Sequence, residues 1–240
     1  MKITEISYSS FNEYLMCPRK YYYRKILEIP SSFTPVELAY GVGIHAGLEK
    51  FYIGKMEEDE VCLDAMMDEF EKAIDAPDVK FNGQTRDELV DEAKALMTLA
   101  MSTDVGKVIG VEYPIEVKLG KDLILTGFID LITEEPNGEI AITDLKTAKK
   151  RFSQADLDNH AQLTTYSLAY PESELRLCVL LKQKTPAVEM VSTKRTMQQR
   201  QRLVRRIMAV RDAIEREVFY PIESYICGNC AYYEQCHKEF

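Results

Sequence analysis

No apolar run in the 240 residues approaches the length of a membrane span, and the opening stretch, MKITEISYSS, has no apolar core of the kind a secretory leader carries. A cytoplasmic chain with no membrane partner is expected. Excess positive charge is also missing: 30 Lys and Arg stand against 39 Asp and Glu, a formal net charge of −9, which argues against wholesale wrapping by nucleic acid. The chain has no repeat, low-complexity tract or Pro/Ser-rich linker, which excludes arrays and tethered modules. It has no G-x-x-x-x-G-K-[ST], hence no evident ATPase motor of its own. What is left is ordinary: 46% hydrophobic and 29% charged residues in a length that buries a real core, read as one domain over 1–240.

Charge is segregated within that domain. Met56 to Asp75 carries nine carboxylates, whereas Ser192 to Arg211 carries Lys194, Arg195, Arg200, Arg202, Arg205, Arg206 and Arg211 with no acid among them. Such a run is either a solvated helix face or a track for phosphates. Periodicity predicts helices over Phe11 to Leu27 (interrupted by Pro18), Val36 to Tyr52, Val61 to Ile74 and Arg86 to Met101, a helical N-terminal part over 1–107. The texture then changes. Val111 to Leu119, Leu123 to Thr133 and Glu139 to Thr147 alternate as strands and are separated by turn residues, a three-strand meander. A helix over Asp156 to Ala169, strands over Leu175 to Lys182 and Val188 to Thr193, and a long basic helix over Thr196 to Glu217 complete a core over 108–218. This order implies an α/β fold with a mixed central sheet flanked by helices.

Chemistry concentrates in two of the strands. Gly127-Phe128-Ile129-Asp130 and Ile142-Thr143-Asp144-Leu145-Lys146-Thr147 set acids into otherwise apolar segments. Alternation along a strand puts Asp144 and Lys146 on one face, and a neighbouring strand can bring Asp130 beside them. Two carboxylates meeting on a sheet face repel unless a divalent cation sits between them, and such a cation activates water and stabilises a phosphate under attack. Taken alone, D-x-K is also a common exposed strand face. Two further pairs flank it: Tyr40-Gly41-Val42-Gly43-Ile44-His45 leads into a helix on which His45 and Glu49 share a face at i,i+4 spacing, and Gln162 and Tyr166 do likewise after His160.

The GxxD strand, the DxKT strand, the QxxxY helix and the upstream helical histidine together resemble the RecB-like branch of the PD-(D/E)xK nucleases, over most of the chain. The resemblance implies a restriction-endonuclease-like sheet and a Mg2+ or Mn2+ site. Asp130 then corresponds to the metal-binding aspartate, Asp144 to the second acid of the motif (Glu in many members), and Lys146 to the catalytic lysine. His45 looks like an extra metal ligand, giving His45, Asp130 and Asp144 as the metal set, and Gln162 and Tyr166 look like the substrate-side QxxxY pair. Glu112 falls near a weaker acidic position of some relatives.

The six cysteines are poor disulfide candidates in a reducing compartment. Cys227-Gly228-Asn229-Cys230 followed by Cys236 offers three ligands, and Cys17 or His237 a fourth, for zinc or an iron-sulphur cluster alike. Cys62 and Cys178 lie in apolar patterns and read as buried thiols. One distant cysteine with a C-terminal CxxCxxxxxC is similar to the RecB-like nucleases that hold a 4Fe-4S cluster, and Tyr8-Ser9-Ser10-Phe11 and Cys17-Pro18-Arg19-Lys20-Tyr21-Tyr22 resemble their N-terminus. That resemblance favours a cluster on Cys17, Cys227, Cys230 and Cys236, with 219–240 as the segment joined to Cys17.

The reading is a metal-dependent DNA exonuclease acting on single strands or ends, with a separate helicase or integrase as possible partner. Similarity to CRISPR-associated iron-sulphur nucleases suggests 5′ to 3′ digestion. Tyr8, Phe11, Tyr14, Tyr21, Tyr22 and Tyr23 could stack bases or simply pack their helices, and the Arg200 to Arg211 helix could follow phosphates. The rivals are a non-catalytic DNA-end-binding adaptor and a zinc-stapled DNA-binding module.

Overall fold

The computed structural model describes residues 2–240. In chain order the elements are β1 (Glu5–Ser7), α1 (Tyr8–Met16), α2 (Pro18–Tyr21), a π-helical turn (Tyr22–Ile26), β2 (Thr34–Pro35), α3 (Val36–Glu57), α4 (Leu63–Ile74), β3 (Val79–Lys80), α5 (Arg86–Met101), β4 (Lys107–Leu119), β5 (Leu123–Glu134) and β6 (Ile140–Ala148). After these come α6 (Gln154–Asp158), α7 (Ala161–Ala169), β7 (Glu174–Leu181), β8 (Ala187–Thr193), α8 (Met197–Glu215), a 3-10 turn (Tyr225–Asn229) and α9 (Tyr233–Glu239).

Local chemistry explains several boundaries. Thr85 and Glu88 form a capping box that starts α5, and Thr196 with Gln199 does the same for α8. Cys17 is extended, so α1 stops there, and Pro18 opens α2 at a position where its missing N–H costs nothing. The helix expected over Asp156 to Ala169 is two helices. His160 breaks it by taking an extended conformation (ψ 104°) and accepting a hydrogen bond from the Leu163 N–H on its Nδ1, which makes it the N-cap of α7.

The meander forms as expected, with β5 antiparallel to both β4 and β6; β7 runs parallel to β6 and β8 antiparallel to β7. The result is a mixed sheet of six strands, the sixth being the short β1, parallel to β5. Helices cover both sides. α3, α4 and α5 pack on Leu131, Leu145, Cys178 and Leu180, while α1 and α8 pack on Leu119, Leu123 and Leu125, and α7 on Ile142, Leu177 and Val179. No described helix is long and apolar enough to cross a membrane.

Two features of this framework set the places of Asp130 and His45. First, β5 shares one edge between two partners: β1 pairs with Ile124–Thr126 and β6 with Leu131–Glu134, so residues 127–130, the GxxD segment, have no strand beside them on that edge. Second, α3 lies unusually close to its neighbours. A Cβ on Gly43 would come within 3.0 Å of the Phe70 carbonyl oxygen, and one on Gly47 within 2.9 Å of the Met66 carbonyl oxygen. These glycines seat α3, and with it His45, at a fixed depth against the sheet.

Candidate active site where the sheet divides

The registers Val111↔Leu131 and Tyr113↔Ile129 place Glu112 opposite Asp130 across β4 and β5, and Leu131↔Thr143 continues to set Asp130 opposite Asp144 across β5 and β6. Three carboxylates thus lie in one row at the point where β5 and β6 part. There the Leu145 N–H, released from the ladder, donates to Asp130 Oδ2 at 2.7 Å. His45 Nδ1 on α3 lies 3.8 Å from the same oxygen. Among the described residues, His45, Glu112 and Asp130 are the group whose ligand atoms all fall within 4.8 Å of one another; Asp144 is adjacent but outside it.

Electrostatics mark the same spot. Burial, reinforced by Asp144, pushes the Asp130 carboxyl well above the usual carboxylate range, and burial with Glu49 and Asp144 raises Glu112. Burial and the nearby Lys146 cation lower His45, so its imidazole is neutral and a lone pair is free for a metal. Glu112 also carries a φ of +43° within a strand, a backbone state that non-glycine residues rarely hold. The donor set, one neutral imidazole beside two carboxylates whose ionisation burial disfavours, fits a divalent metal.

Beside this triad Asp144 is fully buried. Tyr166 donates its hydroxyl to Asp144 Oδ1 at 3.2 Å, and Lys146 Nζ reaches the same oxygen at 3.4 Å. Asp144 Oδ2 forms an ion pair with Nζ at 3.1 Å but accepts no aligned hydrogen bond, which leaves a buried acceptor with capacity for a further ligand. Gln162 Oε1 accepts from Lys146 Nζ at 2.9 Å, and its amide donates to the Tyr166 hydroxyl at 2.7 Å. Gln162 and Tyr166 therefore bridge Lys146 to Asp144 and hold both in place. Burial and Asp144 keep the Tyr166 phenol protonated and push Tyr8, which abuts this network, up to about 12. Glu49, one turn beyond His45, lines with Glu112, Leu38 and Val42 the cleft that leads to the triad.

Other expected residues divide. Phe11, Tyr14, Tyr21 and Tyr23 are buried in helix packing, which removes them as base-stacking groups, whereas Tyr8 and Tyr22 keep partial exposure. Of the basic run, Arg195 is buried and donates to Thr164 Oγ1 and the Leu157 carbonyl, and Arg200 donates to the Pro171 carbonyl. Both serve structure. Arg202, Arg205 and Arg206 on α8 remain exposed.

The C-terminal segment closes onto the N-terminal helices. Tyr23 donates to Glu239 Oε2 at 2.8 Å, Tyr232 to the Ile29 carbonyl at 3.0 Å, the Arg19 N–H to the Tyr220 carbonyl at 3.2 Å, and Arg19 pairs with Glu239. Cys17, Cys227, Cys230 and Cys236 are unpaired and half-buried. The Cys236 thiol is raised by burial and then by Cys17, Cys230 and Cys227 around it, although no three of these sulfurs, among the described residues, gather within 4.8 Å. His237 is exposed and stacks on Tyr233 with ring centroids 5.5 Å apart. Cys178 is buried as expected, its thiol pushed up to about 12. Cys62 is not: it sits exposed ahead of α4, where Val61 takes the inward position.

Residues 5–237 match the PD-(D/E)XK nuclease superfamily. Among solved structures, a candidate exonuclease from Eubacterium rectale has a similar fold, with a TM-score of 0.60 at 10% identity, covering 99% of this chain and 88% of that one. A second, SSO0001, has a TM-score of 0.44 at 12% identity over 97% of this chain and 94% of its own. No curated protein matches the chain.

Proposed function

The chain belongs to the PD-(D/E)XK nuclease superfamily, and from that premise we propose that it is a divalent-metal-dependent deoxyribonuclease, an exonuclease working on single-stranded DNA or DNA ends. The observation that carries this reading is the junction of a metal-ready triad, His45, Glu112 and Asp130, with a lysine tethered beside a second buried acid, Asp144. When bound, Mg2+ or Mn2+ would supply Lewis-acid polarisation of the phosphodiester and a lowered pKa for water.

The chain's own groups do the rest. His45, Glu112 and Asp130 would hold the ion, with Asp144 Oδ2 available from the adjoining strand. Lys146 brings a cation to the place where a phosphate under attack gains negative charge, and is positioned to orient or deprotonate the attacking water. Gln162 and Tyr166 fix Lys146 and Asp144, so that little reorganisation is needed at the moment of reaction. The imidazole in the donor set favours Mn2+ over Mg2+ at equal concentration. The exonuclease preference draws on the name of the similar Eubacterium rectale protein, and a 5′ to 3′ direction remains part of the proposal. A helicase or integrase would act as a separate polypeptide.

We further propose a structural 4Fe-4S cluster on Cys17, Cys227, Cys230 and Cys236, sealing 219–240 onto the N-terminal helices of a single nuclease domain. Four thiols free of disulfides, with three of them around Cys236, support it. The choice of a cluster over zinc rests on the resemblance of the Cys17 and CxxCxxxxxC pattern, since thiolates accept both. Incubation of end-labelled single- and double-stranded DNA with anaerobically purified protein tests the activity. Stepwise shortening in Mn2+ and none in EDTA is expected; intact DNA under every condition would leave the end-binding adaptor as the better account.

A further inference from the structure

The outer half of the β4–β5 hairpin is covered on one side only. Ile115, Leu123, Leu125 and Ile129 point into the cores beneath α1, α7 and α8. On the opposite side Pro114, Glu116, Lys118 and Phe128 are exposed. Phe128 is 59% exposed in mid-strand, within the stretch of β5 that has no neighbour on one edge. A lone exposed apolar residue is unremarkable at a loop tip. This one stands two residues, roughly 6.6 Å along the strand, before Asp130, and with Ile129 turned into the core beneath α7 it lies on the side of the sheet that α3 and its His45 occupy.

Register supplies its companion. Phe128 is opposite Pro114 just as Asp130 is opposite Glu112, so an apolar row of two rings adjoins the row that carries the metal-ready acids. Pro114 is tolerated there because β4 is an edge strand with no ladder bond to lose on its free side. Beyond the rings the face turns polar, with Glu116 opposite Thr126 and Lys118 opposite Ile124. Mixed signs of charge give no continuous phosphate track along it. The flat ring of Phe128, flanked by the apolar Pro114 and next to the metal-ready acids, suits the π-face of a base.

We propose that Phe128, backed by Pro114, is a stacking platform for an unpaired base of the strand being cut, next to the phosphate at the metal site. The inference rests on the nuclease reading above. In a duplex both faces of every interior base are occupied by neighbours, and freeing one costs unstacking energy, whereas bases of a single strand or a frayed end offer a free face at little cost. The platform therefore selects unpaired substrate at the chemical centre itself.

The test uses single-stranded oligonucleotides carrying one 2-aminopurine at successive positions from the end, with Ca2+ in place of Mn2+ to hold them uncut. Stacking quenches this base: the wild type is expected to quench it at one position, Phe128→Ala to abolish that quenching, and Phe128→Trp to keep it. In parallel, with Mn2+, Phe128→Ala should raise KM for single strands about tenfold, equal to about 1.4 kcal/mol, with kcat, Mn2+ affinity and blunt-duplex cleavage unchanged. Wild-type cleavage matched by Phe128→Ala, with the same quenching, overturns the platform and leaves the nuclease standing. Position-specific quenching lost in Phe128→Ala, in a protein that cuts nothing, overturns the nuclease and leaves the platform. Lowered Mn2+ affinity in Phe128→Ala means the ring supports the metal site and takes no base, which also overturns the proposal.

Discussion

Glu112 holds a left-handed backbone inside a strand while its carboxylate faces Asp130 and His45. Non-glycine residues in this region carry about 1 kcal/mol or more of strain, which persists where function requires the geometry. Glu112→Gly should therefore raise the Tm of the metal-free protein and sharply weaken Mn2+ binding; calorimetry and titration on one sample check both. Tyr166→Phe removes a hydrogen bond to a buried carboxylate, and a loss of about 2 kcal/mol should slow kcat more than tenfold with the far-ultraviolet spectrum unchanged. Asp130 adds a pH dependence. Because burial raises it, the folded state holds a proton that the unfolded chain has lost above about pH 4, so this group makes the metal-free protein less stable as pH rises. Mn2+ should accordingly raise the Tm by more at pH 7 than at pH 5, and Asp130→Asn should flatten that difference. Asp130, Asp144 and Lys146 were legible from alternation in apolar strands. Glu112 gains its weight from cross-strand register, which no local window of sequence contains, and the bridging of Lys146 to Asp144 by Gln162 and Tyr166 depends on how α7 lies over β6.

At the level of elements, the site exists because β5 changes partners and leaves 127–130 without a neighbour on one edge. The strands of the meander and the helices α3, α4, α5 and α8 could be read from periodicity within a few residues. β1 could not: its three residues pair with β5 through tertiary contact alone. The split of α6 from α7 was missed for another reason. His160 caps through its ring nitrogen, outside the usual Ser, Thr, Asp and Asn set. Gly43 and Gly47 acquire meaning only in the packing of α3 against α4 and α5. Gly47→Ala would bring a Cβ within 2.9 Å of the Met66 carbonyl and closer still to the Met97 methyl. It should destabilise the fold by about 2 kcal/mol and weaken Mn2+ binding by displacing His45, an effect that Gly41→Ala, with open space around it, should not reproduce.

Over the whole molecule the chain is joined end to end, α9 lying against α2 through Arg19, Tyr23 and Glu239. A cluster spanning Cys17 to Cys236 would close nearly the entire chain into one loop, worth about 5 kcal/mol in the chain-entropy picture. Cys236→Ser should thus abolish the brown colour and the absorbance near 400 nm (roughly, for thiolate-to-iron charge transfer), and lower the Tm of anaerobically purified protein. Spacing alone left Cys17 and His237 both open as the fourth ligand, and the resemblance singled out Cys17; the contacts of Arg19, Tyr23 and Tyr232 that bring the two ends together are visible only in three dimensions. Whether Lys146 serves a metal-dependent cut is decided by cleavage of end-labelled single-stranded DNA by wild type and Lys146→Ala, each in Mn2+ and in EDTA, with Mn2+ binding followed on the same preparations. Cutting by the wild type in Mn2+ alone, lost by at least a hundredfold (order of magnitude for a positioned acid-base group) in a variant that still binds Mn2+, is the predicted result. A Lys146→Ala protein that cuts as fast as the wild type would contradict it.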